Sequence, residues 1–295
     1  MNAFAQTSHI ESVVQNHDQL GETPLWCERT QKLWWVDIEQ PRLQSFDPAT
    51  GAHRVIEMPG TYLGSQALTV SGARMVAIDL ELQLFDTETG TATPFAVVEH
   101  GVDNRLNDGR VDQRGRLWIG TMDNQLHRPN GSLYRVDPNG TVKKMAGDII
   151  VSNGIAFSPD GTTLYFTDTR RYISWAFDLD LDDGAITNRR VFADYSATGD
   201  RPDGACIDVD GCLWTAFFAG GRIVRYRPDG AIDRQIALPV TNPTCLCFGG
   251  KELKTLYVTS ATKFLTPEQR AAEPLAGSLF AIEGIGQGLP ENRFG

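Results

Sequence analysis

Glu22, Asn107, Asn153 and Asp203 are four oxygen-bearing side chains, each set 11 or 12 residues ahead of an aromatic that follows a leucine: Trp34, Trp118, Tyr165 and Trp214. Carboxylate and amide oxygens are ligands for hard cations such as Ca²⁺, Mg²⁺ or Mn²⁺, and Zn²⁺ or Fe²⁺ can also use them. If the four converge in a buried place, Glu22 and Asp203 need a cation, a proton or hydrogen-bond donors, because unpaired carboxylates are costly to take out of water. Taken singly they are ordinary: Asn107-Asp108-Gly109 and Asp203-Gly204 are common turn sequences. Equivalent placement in a repeat is what makes one site of four distant residues.

The repeat supplies the elements that position them. Leu33-Trp34, Leu117-Trp118, Leu164-Tyr165, Leu213-Trp214 and Leu256-Tyr257 each lie in a short β-type run behind a turn signal (ERTQK, DQRG, SPDGT, DVDG, GGKELK). Thr244 holds the corresponding position in a fifth copy, and a weaker sixth runs from Ser65 to Met75-Val76. Successive units begin at 22, 65, 107, 153, 203 and 244, intervals of 43, 42, 46, 50 and 41 residues. That period accommodates four short strands, the blade of a propeller. We therefore expect an all-β, six-bladed β-propeller, with residues 1–295 as a single domain and IESVVQ, ahead of Glu22, adding a strand that closes the last blade. One short helix is expected in TPEQRAAE, with Thr266 as cap and Pro267 in the first turn. Innermost strands line the channel of a propeller, so Glu22, Asn107, Asn153 and Asp203 should gather at one of its mouths.

If the inner strand leaves that mouth, the second strand returns to it, and the next loop lies beside the site. Those loops are DIEQPR, TMDNQLHRPNG, TDTRRY, FFAGG and SATKFLTPEQRAAEPLAG. Long loops of this kind commonly form lids or specificity walls. Arg170 and Arg171 stand in the third and would favour an anionic substituent on a substrate; the alternative is a solvated surface pair.

Several function classes are excluded or disfavoured. With 27 basic and 37 acidic residues the formal charge is −10, without the basic footprint of a nucleic-acid binder or a partner of anionic membranes. The opening residues lack a secretory pattern, and no apolar run is long enough to span a bilayer. Five cysteines suggest reduced thiols and a cytoplasmic protein. His9, His17, His53, His100 and His127 have no zinc-cluster spacing, and neither a GxSxG elbow nor a nucleotide-binding glycine loop is present.

LGETPLW at 20–26, RLNDGRVDQRGRLWIGTM at 105–122, SNGIAFSPDGTTLYFTDT at 152–169 and RPDGACIDVDGCLWTAFFAGGRIVRYRPDG at 201–230, with CLCFGG and PLAGSLFAIEG, resemble the regucalcin/gluconolactonase (SMP-30) family over nearly the whole chain. The resemblance implies hydrolysis of a sugar lactone to its aldonic acid, with one divalent metal ion held by Glu22, Asn153 and Asp203 and the sugar contacted by Arg105 and Asn107. The family places a Glu contact to the sugar in the loop after GTM. Here that loop offers Asp123 and Gln125 instead, so the sugar preference does not carry over. The metal would polarise the carbonyl and stabilise the oxyanion. Asp203 would act as general base, the alternative being water activated on the metal. Hydrolysis of another ester or a phosphotriester on the same site, and a non-catalytic binding propeller, are the competing functions.

Overall fold

The computed structural model describes residues 9–295; residues 1–8 of the expected domain lie outside the described residues. Six four-stranded antiparallel sheets follow one another along the chain as the blades of a β-propeller. Their inner strands are Gly21–Cys27, Leu63–Leu68, Asn104–Val111, Ser152–Phe157, Arg201–Ile207 and Pro243–Gly249. The first five blades are each built from consecutive strands. In the sixth, the outermost strand is Ile10–Val14, paired with Leu279–Glu283 so that Ile10 faces Ile282 and Ser12 faces Phe280. Hydrogen bonds between the two ends of the chain thus fasten the ring.

Burial falls from the axis outward. All seven residues of Pro243–Gly249 are buried, whereas Ala52–Glu57 at the rim of blade 1 is almost wholly exposed. The leucine-aromatic pair explains how the blades cohere. Adjacent residues of a strand point to opposite faces, and each blade is sandwiched between two others. Leu33 packs into the cluster shared with blade 6 while Trp34 packs toward blade 2; Leu117 and Trp118, Leu164 and Tyr165, and Leu213 and Trp214 divide in the same way between neighbouring clusters. Two of the indoles are also tied to the turn behind them: Trp118 Nε1 donates to Asp112 at 2.9 Å and Trp214 Nε1 to Asp208 at 2.8 Å.

Each inner strand breaks register at one place: after Glu22, after Leu63, after Leu106, after Asn153, after Pro202 and after Pro243. A bulge bends the strand and re-aims a side chain, and here it falls at or beside Glu22, Asn107, Asn153, Asp203 and Thr244. The residue after the bulge is squeezed between blades. A β-carbon on Gly204 would lie 2.3 Å from Cys245 Sγ, and Gly154 adopts φ +58°. Pro267–Ala272 is helical, with a Thr266/Gln269 capping box and proline in the first turn.

Candidate active site

The bulges bring Glu22, Asn107, Asn153 and Asp203 into one cavity at an end of the channel, about 600 Å³ including its open mouth, within the ~300–1,000 Å³ usual for small-molecule sites. Arg105, Arg170, Arg201 and Lys263 share it, and Leu20, Ile38, Met122, Leu126, Phe218 and Phe264 supply an apolar wall. Glu22, Arg105, Asn107, Asn153 and Asp203 are all buried.

A single chain of hydrogen bonds orients the amides. Arg105 Nη1 donates to Asn107 Oδ1 at 2.5 Å and Asn107 Nδ2 donates to Asn153 Oδ1 at 2.7 Å. Asn153 Nδ2 then donates to Thr169 Oγ1 at 2.8 Å, and Thr169 Oγ1 donates to the Pro202 carbonyl at 2.6 Å. Every member has one direction available to it, because the guanidinium can only donate. Asn153 Oδ1 therefore faces its neighbours as an acceptor with a lone pair to spare. Asn107 Nδ2 also donates to Ser152 O at 2.8 Å, which commits both its hydrogens.

The carboxylates are far less well served. Glu22 accepts the Thr23 N–H at 2.9 Å, and no donor among the described residues reaches Asp203. Burial and then the Asp108 carboxylate push Glu22 up to about 8, and burial, Glu22 and Asp108 hold Asp203 well above the usual carboxylate range. Two buried acids thus share the cavity with one buried guanidinium, Arg105, while Asp108 lies behind them with the Ile155 N–H and Arg110. Proton uptake or a cation resolves this arrangement, and the donors present fit a hard divalent ion: two under-coordinated carboxylates and one oriented amide oxygen. Among the described residues no three His, Cys, Asp or Glu side chains form a metal-ligand cluster, so such an ion depends on the amide.

A family model, SMP-30/gluconolactonase/LRE-like region, matches residues 20–262. The chain belongs to that family. It is 39% identical over 287 residues, covering 97% of this chain and 98% of the relative, to 6-deoxy-6-sulfogluconolactonase of Pseudomonas putida. It is 36% identical over 289 residues to regucalcin of Oryctolagus cuniculus, covering 95% and 96% of the two chains. The crystal structure of a calcium-binding protein, regucalcin, from Agrobacterium tumefaciens superposes with a TM-score of 0.94 at 32% identity over 98% of both chains.

Three residues expected at the site stand elsewhere in this family member. Asp123 is fully buried at the end of its strand, where Asp37 and Asp168 end theirs and Asp79 follows its own. All four accept loop N–H groups; Asp123 takes those of His127 and Arg128 at 3.0 and 2.8 Å, and the Arg128 guanidinium. Its role is to hold a loop. Gln125 is exposed and lines a separate cleft with Tyr62 and Glu99. Arg171 turns away to Asp148 and Asp168, at 2.8 and 3.2 Å. The residue that the 123–130 loop does send into the cavity is apolar Leu126, whose carbonyl accepts Arg170 Nε at 3.0 Å. Sequence reasoning missed Asp108, Thr169, Arg201, Lys263 and the two phenylalanines. Of these, Asp108 and Arg201 carried a signal, since they flank expected site residues in RLNDG and RPDG.

Proposed function

We propose that this chain hydrolyses a sugar lactone to its aldonic acid for carbohydrate catabolism, using one divalent cation held by Glu22, Asn153 and Asp203. The observation that carries this reading is Asp203: a buried carboxylate that no donor among the described residues reaches, beside a second buried carboxylate, Glu22, in a cavity of metabolite size. Family membership and the sulfogluconolactonase relative support it. When bound, the cation supplies Lewis acidity toward the lactone carbonyl and lowers the pKa of water. Asp203 takes a proton as the water oxygen bonds to the carbonyl carbon. The ring C–O bond then breaks, and Asp203 returns the proton to the departing ring oxygen. Arg105, whose Nη1 is committed to Asn107 and to the Leu106 carbonyl, offers its remaining nitrogens to sugar hydroxyls, and the Asn107 contribution is to fix Asn153. The five cysteines are free thiols, consistent with a cytoplasmic protein.

A pH-indicator assay with a panel of aldonolactones tests this. Chelated enzyme should be inactive and regain acid release with one or more of Ca²⁺, Mg²⁺, Mn²⁺, Zn²⁺ and Fe²⁺, and Asp203→Ala should lose about a hundredfold or more in rate. Because Glu22 must give up its proton, calorimetry should find cation affinity rising as pH approaches 8. Turnover indifferent to chelation and to Asp203→Ala would sink the assignment.

A further inference from the structure

The cavity is polarised along its length. Its buried end carries Glu22 and Asp203; its more exposed side carries Arg170 and Arg201. Thr169 and Pro202, their chain neighbours, are joined by the 2.6 Å hydrogen bond that ends the amide chain, so the two arginines leave the chain where blades 4 and 5 adjoin, and both line the cavity. Outside the pair Glu22 and Asp203, the carboxylates nearest along the chain and at Lys263 are already engaged. Asp168 pairs with Arg171, Asp200 with Arg222 at 2.8 Å, and Glu39 with Lys263. Among the described residues neither Arg170 nor Arg201 has an acidic partner within ion-pairing distance; Arg170 spends one N–H on the Leu126 carbonyl. Two guanidinium groups that line one cavity, neither with an acidic partner, form a site for an anion, and their planar forks suit an oxyanion.

Arg201 and Asp203 lie two residues apart on one strand, on either side of the start of its bulge. One strand end therefore offers an acidic anchor and a basic anchor to the two ends of a single small molecule. Resting on the lactonase reading, we propose that Arg201 and Arg170 form a subsite for an anionic substituent at the end of the sugar remote from the lactone carbonyl: a sulfonate, phosphate or carboxylate. Lys263, tied to Glu39, closes the same wall. A substrate bound this way is stretched from the buried end to the exposed side, with its carbonyl held beside Asp203 and its tail neutralising the arginines.

The test compares glucono-1,5-lactone with lactones of the same ring carrying a 6-sulfonate, 6-phosphate or 6-carboxylate, using the metal-loaded enzyme at low and high salt. The expected result is a kcat/KM ratio of charged over uncharged lactone of about tenfold or more, decreasing with salt. Arg201→Gln should reduce that ratio about ten- to a hundredfold, Arg170→Gln less, and Arg201→Lys should retain part of it. The ranking of the three anions identifies the tail. A ratio near one in the unaltered enzyme, or a ratio that Arg201→Gln leaves in place, would overturn the subsite. If no lactone is turned over, it is the lactonase reading that fails. Calorimetry with the open-chain 6-sulfonated aldonate then decides the subsite alone: binding weakened by Arg201→Gln supports it, and absence of binding overturns it.

Discussion

At the scale of residues, two buried aspartates with opposite environments do opposite work. Burial acts against ionisation at both, but Asp123 is met by Arg128 and two backbone N–H groups that more than compensate and hold its carboxyl below the usual range. Asp203 has no donor among the described residues, and burial with Glu22 and Asp108 outweighs Arg105 and Lys263 and pushes it up. The first is the signature of a structural brace and the second of a group awaiting a ligand. A depressed carboxylate stabilises the fold above its unfolded pKa and loses that contribution as pH falls through its folded value. Asp123→Asn should therefore cost about 1–3 kcal/mol at pH 5–8, with the difference from the unaltered protein shrinking below pH 4. Urea unfolding at several pH values measures this; a cost that grows on acidification would contradict the assignment. The brace was visible in the sequence as WVDIE, AIDLE, MDNQ and TDTR, one aspartate in each of the first four repeats. It went unrecognised at Asp123 because proximity to the expected sugar-binding loop competed with periodicity.

At the scale of elements, the bulge is the device that makes the site. Regular alternation could not turn Glu22, Asn153 and Asp203 inward together with the residues that follow them, and the extra residue in each strand solves this. The cost is crowding between neighbouring inner strands, met by glycine. Gly204→Ala places a methyl group against Cys245 Sγ and its Cα, at 2.3 and 2.8 Å, and should destabilise by about 1–3 kcal/mol while displacing Asp203. Thermal melting and cation titration of the variant check both consequences; an unchanged melting temperature would show that the blades can part without penalty. Strand count, blade boundaries, the helix at Pro267 and the four inward-facing oxygens were legible because each depends on local pattern repeated at a fixed period. Arg201 was not. Its partner Arg170 lies in another blade, and only the contact between Thr169 and Pro202 shows that they are neighbours.

At the scale of the whole molecule, the ring closes through one short strand. Removing the chain through Val14 exposes the edge of Leu279–Glu283, whose unpaired N–H and C=O groups would then seek another partner. A loss of about 2 kcal/mol would lower the melting temperature by roughly 3 °C, and dynamic light scattering should detect edge-to-edge association. A truncated protein that melts unchanged and stays monodisperse would mean that blade packing alone fixes the ring.

The same closure sets a schedule for biosynthesis. Ile10 pairs with Ile282, 272 residues further along the chain. At ~5–20 residues per second, the earliest strand emerges from the ribosome on the order of 15–50 s before its partner exists. Five blades can assemble in that interval, each from strands adjacent in sequence, while Ile10–Val14 waits without a sheet. Its shortness and its glutamate, Glu11, suit that interval, since both discourage pairing with a stranger. The last event in making this enzyme is the capture of the first strand that was made.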